Sequence, residues 1–205
     1  MQHNQMEIPN RQIRAHYNND TIRVYQAYSN TIADNALASG TFISPPFKMD
    51  RMTWIKPSFL WMMYRSGWGK KDSGQNRILA IDITREGFEW ALEHSCLSHF
   101  EKGAYTSYED WQTTKNNSPV RIQWDPERDL HLHPLEHRAI QIGLSGEAVR
   151  LFVSKWIFSI ADITDMAAEI HSFVEHNQLE EARRHLPIER HYSIPEKLNT
   201  RLGIT

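Results

Sequence analysis

The densest concentration of side chains able to hold a ligand is RMTWIKPSFLWMMYRSGWGKK, Arg51 to Lys71. Arg51, Lys56, Arg65, Lys70 and Lys71 alternate there with Trp54, Trp61 and Trp68. Arginine presents a planar fork of donors to phosphate, lysine presents a point charge, and indole offers a flat face to a base or nicotinamide ring. The pattern suits an anionic small molecule carrying a ring. It also suits an apolar core with a solvated cationic rim, because Trp61 and Trp68 stand seven apart, as core residues on a helix do.

Charge is distributed in the same sense. Residues 1–71 carry nine Lys/Arg against four Asp/Glu, although the net charge of the chain is −2. A basic third on an acidic body favours an anionic partner such as a nucleotide, or is simply an uneven solvated surface.

Two amides stand where aliphatic residues would be cheaper. Gln26 shares a strand face with Ile22, Val24 and Tyr28, and Gln141 is the one sizeable side chain on the Ala139, Gln141, Gly143 face of its strand. A buried amide needs hydrogen-bond partners, supplied by backbone or by ligand. His131, His133 and His137 have strand-compatible metal spacing, but Asp129 and Glu136 are weak as further ligands, so no metal site is assigned. Cys96, near His94 and His99, reads as a small core residue. The sequence has no glycine-rich phosphate loop, nucleophile elbow or zincin helix, so the common ATP and dinucleotide folds lose support.

The elements that must position these groups follow from patterning. Thr21–Tyr28 is a strand, followed by a helix capped by Ser29 or Asn30 and closed by Gly40. Arg51–Ile55 is a short strand, with Arg51, Thr53 and Ile55 on one face and Met52 and Trp54 on the other. Pro57 opens a largely apolar, buried helix to about Ser66, stopped by Gly67. Arg77–Ile83 is a strand covered on both faces, and Thr84 caps the next helix. Residues 95–118 read as a long polar loop. Val120, Ile122 and Trp124 mark a half-buried strand ended by Asp125-Pro126, and Ala139–Leu144 is another. Ser145 caps a short helix, Trp156–Ile163 is the last strand, and a helical end carries a stripe of Met166, Ile170, Phe173 and Val174. In that end Glu180 precedes Arg184 by four residues, the favourable order for an ion pair.

These elements predict one α+β domain with a mixed or antiparallel sheet core over residues 1–205. Seven tryptophans argue against disorder. A single cysteine, the absence of a signal-like start at Met1 to Gln5, and an apolar run too short to span a bilayer point to the cytoplasm, without a membrane partner.

At TIRVYQAY, RMTWIKPSFLWMMYRSGW, RIQWDPER and RAIQIGL the chain resembles the family catalogued as domain of unknown function 4291, over nearly its whole length. That resemblance implies no activity. A second resemblance is to the ADP-ribosyltransferase fold. Tyr25-Gln26-Ala27-Tyr28 and the helix to Gly40 look like its opening strand and helix, Thr53 and Ser58 like its second element, and Arg77–Ile83 like its aliphatic strand. Gln141 stands where that fold has its catalytic glutamate, and Gln26 replaces its ribose-binding histidine.

The second resemblance implies a nucleotide-binding protein that transfers ADP-ribose from NAD. Arg51, Lys56 and Arg65 would hold phosphates, Gln26 and Ser58 would hold ribose hydroxyls, and Thr53 would be a further ligand contact. Trp54 or Tyr25 would stack on a ring, Gln141 would face the anomeric centre, and Arg14 and Arg138 would add cations. A neutral amide supplies no negative charge, so Glu136 or Asp125 would have to provide it, or the protein binds a nucleotide without turning it over. Two alternatives from other classes are a module for single-stranded nucleic acid, using the same cations and tryptophans, and a structural or protein-interaction domain.

Overall fold

The computed structural model describes residues 9–204; the Met1 to Gln5 start discussed above lies outside them. In chain order the elements are β1 (Arg14–Ala15), β2 (Thr21–Tyr28), α1 (Asn30–Ser39), β3 (Thr53–Ile55), α2 (Phe59–Ser66), β4 (Arg77–Thr84), α3 (Arg85–Glu93) and β5 (Ser95–Leu97). There follow α4 (Tyr108–Asn117), β6 (Val120–Arg128), β7 (Pro134–Leu144), α5 (Glu147–Leu151), β8 (Ile157–Asp162), α6 (Thr164–Glu175), α7 (Leu179–His185), β9 (Arg190–His191) and α8 (Asn199–Leu202). The fold class is α+β.

Two sheets face each other. One is three-stranded and antiparallel, in the order β2-β4-β8; the other is four-stranded, β3-β7-β6-β5, antiparallel except for the parallel β5–β6 pair. Alternation sends Ile22, Val24, Leu79 and Ile81 from the first sheet into one core with Ile55, Ile122, Ile140 and Ile142 from the second. The opposite face of the three-stranded sheet, with Tyr25, Ile78 and Ala80, is covered by Phe59, Met62 and Met63 of α2 and by Ala167 and Ile170 of α6. Burial of both faces explains the near-continuous apolar run of β4.

Local chemistry sets the helix ends. Thr84 accepts from Gly87 N at 3.1 Å to start α3, and Gly40 and Gly67 close α1 and α2 in left-handed conformations (φ 69° and 55°). Helix α2 starts after Ser58, whose Oγ accepts from Trp61 N at 3.1 Å, so Pro57 precedes the cap instead of opening the helix. The short α5 likewise begins after Gly146, not at Ser145.

Other expectations are corrected. Residues 95–118 contain β5 and α4: Ser107 caps α4, whose only buried residue is Trp111, too thin an apolar stripe to show in the sequence. Trp68 is not on α2 but in the turn beyond it, at φ 56°, stacked on His171. Strand β6 runs through Asp125-Pro126 to Arg128 with a bulge, and β8 is not the last strand, because β9 pairs with β1. In α7 the ion pairs are Arg183–Glu180 and Arg184–Glu181, three residues apart, so Arg184 does not pair with Glu180. Among the described residues no helix is long and apolar enough to cross a membrane.

A Cβ added to Gly87 would lie 2.3 Å from the Trp156 ring, which cannot retreat from its place in the core. Gly87→Ala should therefore cost about 1–3 kcal/mol through overpacking, despite alanine's better helix propensity. A urea titration checks this, and an unchanged or raised midpoint would contradict it.

Candidate functional site

The sheets are stitched together at one backbone position: Tyr25 N donates to the carbonyl of Lys56, just beyond β3, at 2.8 Å. Alternation along β2 then brings its neighbour Gln26 against β3. Gln26 Nε2 donates to Thr53 Oγ1 at 2.7 Å and to the Trp54 carbonyl at 3.2 Å. The Tyr28 hydroxyl stands 3.0 Å from the same Thr53 Oγ1, and burial raises its pKa to about 12. Gln26 is 3% exposed, and among the described residues its Oε1 has no donor. The Trp54 carbonyl can only accept, so the amide cannot be turned around. A buried acceptor left unmet costs about 1–3 kcal/mol.

Above Gln26 opens a cleft of about 520 Å3, also walled by Tyr28, Thr53, Trp54, Lys56, Arg51 and Arg65. Arg51 and Arg65 are exposed and, among the described residues, have no carboxylate partner. Lys56 is 6% exposed; its Nζ donates to the Trp54 carbonyl at 3.2 Å and has no acid within ion-pair distance among the described residues. Desolvation lowers its pKa to about 7, helped by the charge of Arg65 and opposed by that of Asp125.

A polar row continues across the outer face of the four-stranded sheet. Trp54 pairs with Gly143, where a Cβ would lie 2.7 Å from Met52 Sδ and 3.0 Å from the Trp54 ring. Gln141 Nε2 donates to Asp125 Oδ2 at 2.7 Å, and Gln123 Nε2 to Asp125 Oδ1 at 3.0 Å. Gln141 lies beside the cleft and is not in its wall. Asp125 lines a second hollow of about 320 Å3 with Arg138, which donates to the Trp124 carbonyl at 3.1 Å.

Six residues singled out in the sequence thus meet at the cleft: Gln26, Arg51, Thr53, Trp54, Lys56 and Arg65. Ser58, Tyr25 and Arg14 gather elsewhere, around two glutamates that sequence reasoning passed over. Ser58 Oγ donates to Glu127 Oε1 at 2.9 Å, and Phe59 N donates to Glu189 Oε1 at 2.7 Å, so both acids sit at the positive end of α2. Arg14 donates to the Glu189 carbonyl at 3.0 Å. Tyr25 points into the interior, edge-on to Phe59 at 5.6 Å; its hydroxyl has no partner among the described residues, and burial, then Glu189, raises its pKa well above the usual value. Burial raises the pKa of Glu127, and raises that of Glu189 to about 8, with Glu127 adding to the latter.

Of the remaining candidates, His131 and His133 have ring centroids 5.8 Å apart, and no three His, Cys, Asp or Glu side chains among the described residues are placed to share a metal ion. Cys96 is buried and accepts from the Tyr105 hydroxyl at 3.3 Å.

Glu189 gives a signed prediction. Its folded pKa lies above that of an unfolded glutamate, so its contribution to stability is complete below about pH 4.5 and is lost as pH rises through about 8. Denaturation midpoints should fall over that window. Glu189→Gln, which keeps an acceptor for Phe59 N, should flatten the fall; an equally steep profile in the variant would contradict the assignment.

No curated protein matches the chain. The chain belongs to the family described as domain of unknown function (DUF4291), whose model matches residues 12–192, from just before β1 to just past β9.

Proposed function

We propose that the cleft between the sheets binds a nucleotide, NAD or an adenine nucleotide. The observation that carries this reading is that two guanidiniums without a carboxylate partner among the described residues, Arg51 and Arg65, stand with Lys56 on one cleft. A phosphate is the anion that a guanidinium fork matches. Trp54 offers a ring face in the same wall. A volume of about 520 Å3 falls among those of small-molecule sites.

Transfer of ADP-ribose from NAD is the reaction that fits this ligand. Positive charge develops at the anomeric carbon as nicotinamide leaves, and a carboxylate must face it. Gln141 and Asp125, bonded at 2.7 Å, stand outside the cleft wall, so only a ligand reaching past that wall would have its ribose hydroxyl oriented by Gln141 and its developing charge met by Asp125. The catalytic half of the proposal depends on Asp125. Binding does not.

Isothermal calorimetry with NAD, ADP and ATP tests the binding half. Saturable binding is expected, weakened about tenfold by Arg51→Ala or Arg65→Ala, the loss of about one charge-assisted hydrogen bond. No heat at millimolar nucleotide would remove the reading. Single-stranded oligonucleotide in the same cell separates the nucleic-acid alternative, whose affinity must fall steeply with salt. For catalysis, Asp125→Asn should abolish nicotinamide release while leaving NAD binding within a few-fold.

A further inference from the structure

Lys56 is unusual for a reason separate from nucleotide binding. A buried ammonium ordinarily has a carboxylate partner, because its charge is costly to desolvate. Among the described residues Lys56 has none within ion-pair distance. One of its three donors meets the Trp54 carbonyl, and the group faces an open cleft. Its charged surroundings are Arg65 from α2 and Asp125 from β6, with Lys48, Arg51 and Asp72 in the cleft wall and the neutral Tyr28 phenol beside them. A pKa of about 7 leaves roughly half of the molecules with a free amine lone pair at neutral pH. A desolvated amine beside other cations is the arrangement that activates lysine towards carbonyl carbon.

We propose that Lys56 captures a phosphorylated aldehyde as an imine, the carbonyl belonging to the ring-opened sugar of a sugar phosphate or of ADP-ribose, while Arg51 and Arg65 hold the phosphate. This rests on the reading that the cleft takes a phosphate-bearing ligand, but not on NAD being that ligand. The Nζ lone pair attacks the carbonyl carbon, and the amine proton passes to the carbonyl oxygen, giving a carbinolamine. That oxygen departs with a second proton as water, and the C=N bond forms. No oxidant or reductant takes part.

The test is reductive trapping of the full-length protein with sodium cyanoborohydride, read by intact mass and peptide mapping. The probes are ribose 5-phosphate and ADP-ribose, with ribose as the aldose lacking phosphate. The expected result is one adduct, of ligand mass less one oxygen atom, mapped to Lys56. It should form about tenfold faster with the phosphorylated probes than with ribose, a factor worth one charge-assisted contact. Its rate should climb as pH is raised through 7. NAD, whose anomeric carbon is locked in its glycosidic bond, should slow it. Lys56→Arg keeps the charge and should lose the adduct, as should Lys56→Met.

Labelling spread over exposed lysines such as Lys70 and Lys71, no adduct at all, or equal rates for ribose and ribose 5-phosphate would overturn the proposal. Mapping in the unsubstituted protein decides the matter even if a variant fails to fold. Binding of NAD by calorimetry without trapping would sink the imine and leave the nucleotide site standing. Trapping at Lys56 without NAD binding would do the reverse.

Discussion

The backbone bond from Tyr25 to Lys56 is the constraint on which both polar regions depend. It is the point where the three-stranded sheet meets the four-stranded one. Side chains alternate along β2, so fixing Tyr25 opposite Lys56 turns Gln26 towards Thr53 and commits the Tyr25 ring to the other face, against α2. The same contact buries Lys56 at the seam, where no neighbouring strand brings an acid within ion-pair reach. One hydrogen bond therefore specifies an open cationic cleft on one side and a half-buried acidic cluster on the other.

Those regions satisfy electrostatics in opposite ways. In the cleft, Arg51 and Arg65 keep their charge by remaining in water, while Lys56 sheds part of its charge by moving towards the neutral amine. Around α2, two glutamates share the positive end of the helix, and the raised pKa of Glu189 lets one of them keep its proton. The chain's uneven charge is thus only partly a ligand signal. Of the nine cations in residues 1–71, Arg11, Arg23 and Lys70 pair with acids, and Arg51, Lys56 and Arg65 belong to the cleft.

Patterning made the strands legible, because β6 and β7 alternate with period two, β4 is a near-continuous apolar run and β2 is rich in β-branched and aromatic residues. It failed for β5 and α4, whose signals are three residues and one tryptophan; their existence is owed to partners distant in sequence. At the site, the strand carrying Thr53 and Trp54, with Lys56 just beyond it, and the oddity of Gln26 could be read locally. Ser58 could not, since the chain leaves strand geometry at Pro57 and the serine is spent capping α2. Glu127 lay within a recognised motif but gave no sign of burial, and Glu189, 130 residues from its partner Phe59, had no local signal. Asp125 was read as a possible acid, but its clamp by Gln141 and Gln123 appears only in three dimensions.

The pairing of β1 with β9 has a consequence for how the molecule is assembled. Arg14 and Ala15 zip against His191 and Arg190, and Glu189, the residue before β9, supplies the acid at the start of α2. The closure entropy of so long a loop is met only when β1 and β9 are both present. On a ribosome, β2 and α2 would emerge early and wait, with the Tyr25 hydroxyl and the amides at the start of α2 unshielded, until Glu189 and β9 had been made. Completion of this part of the fold is a late event that joins segments distant in sequence.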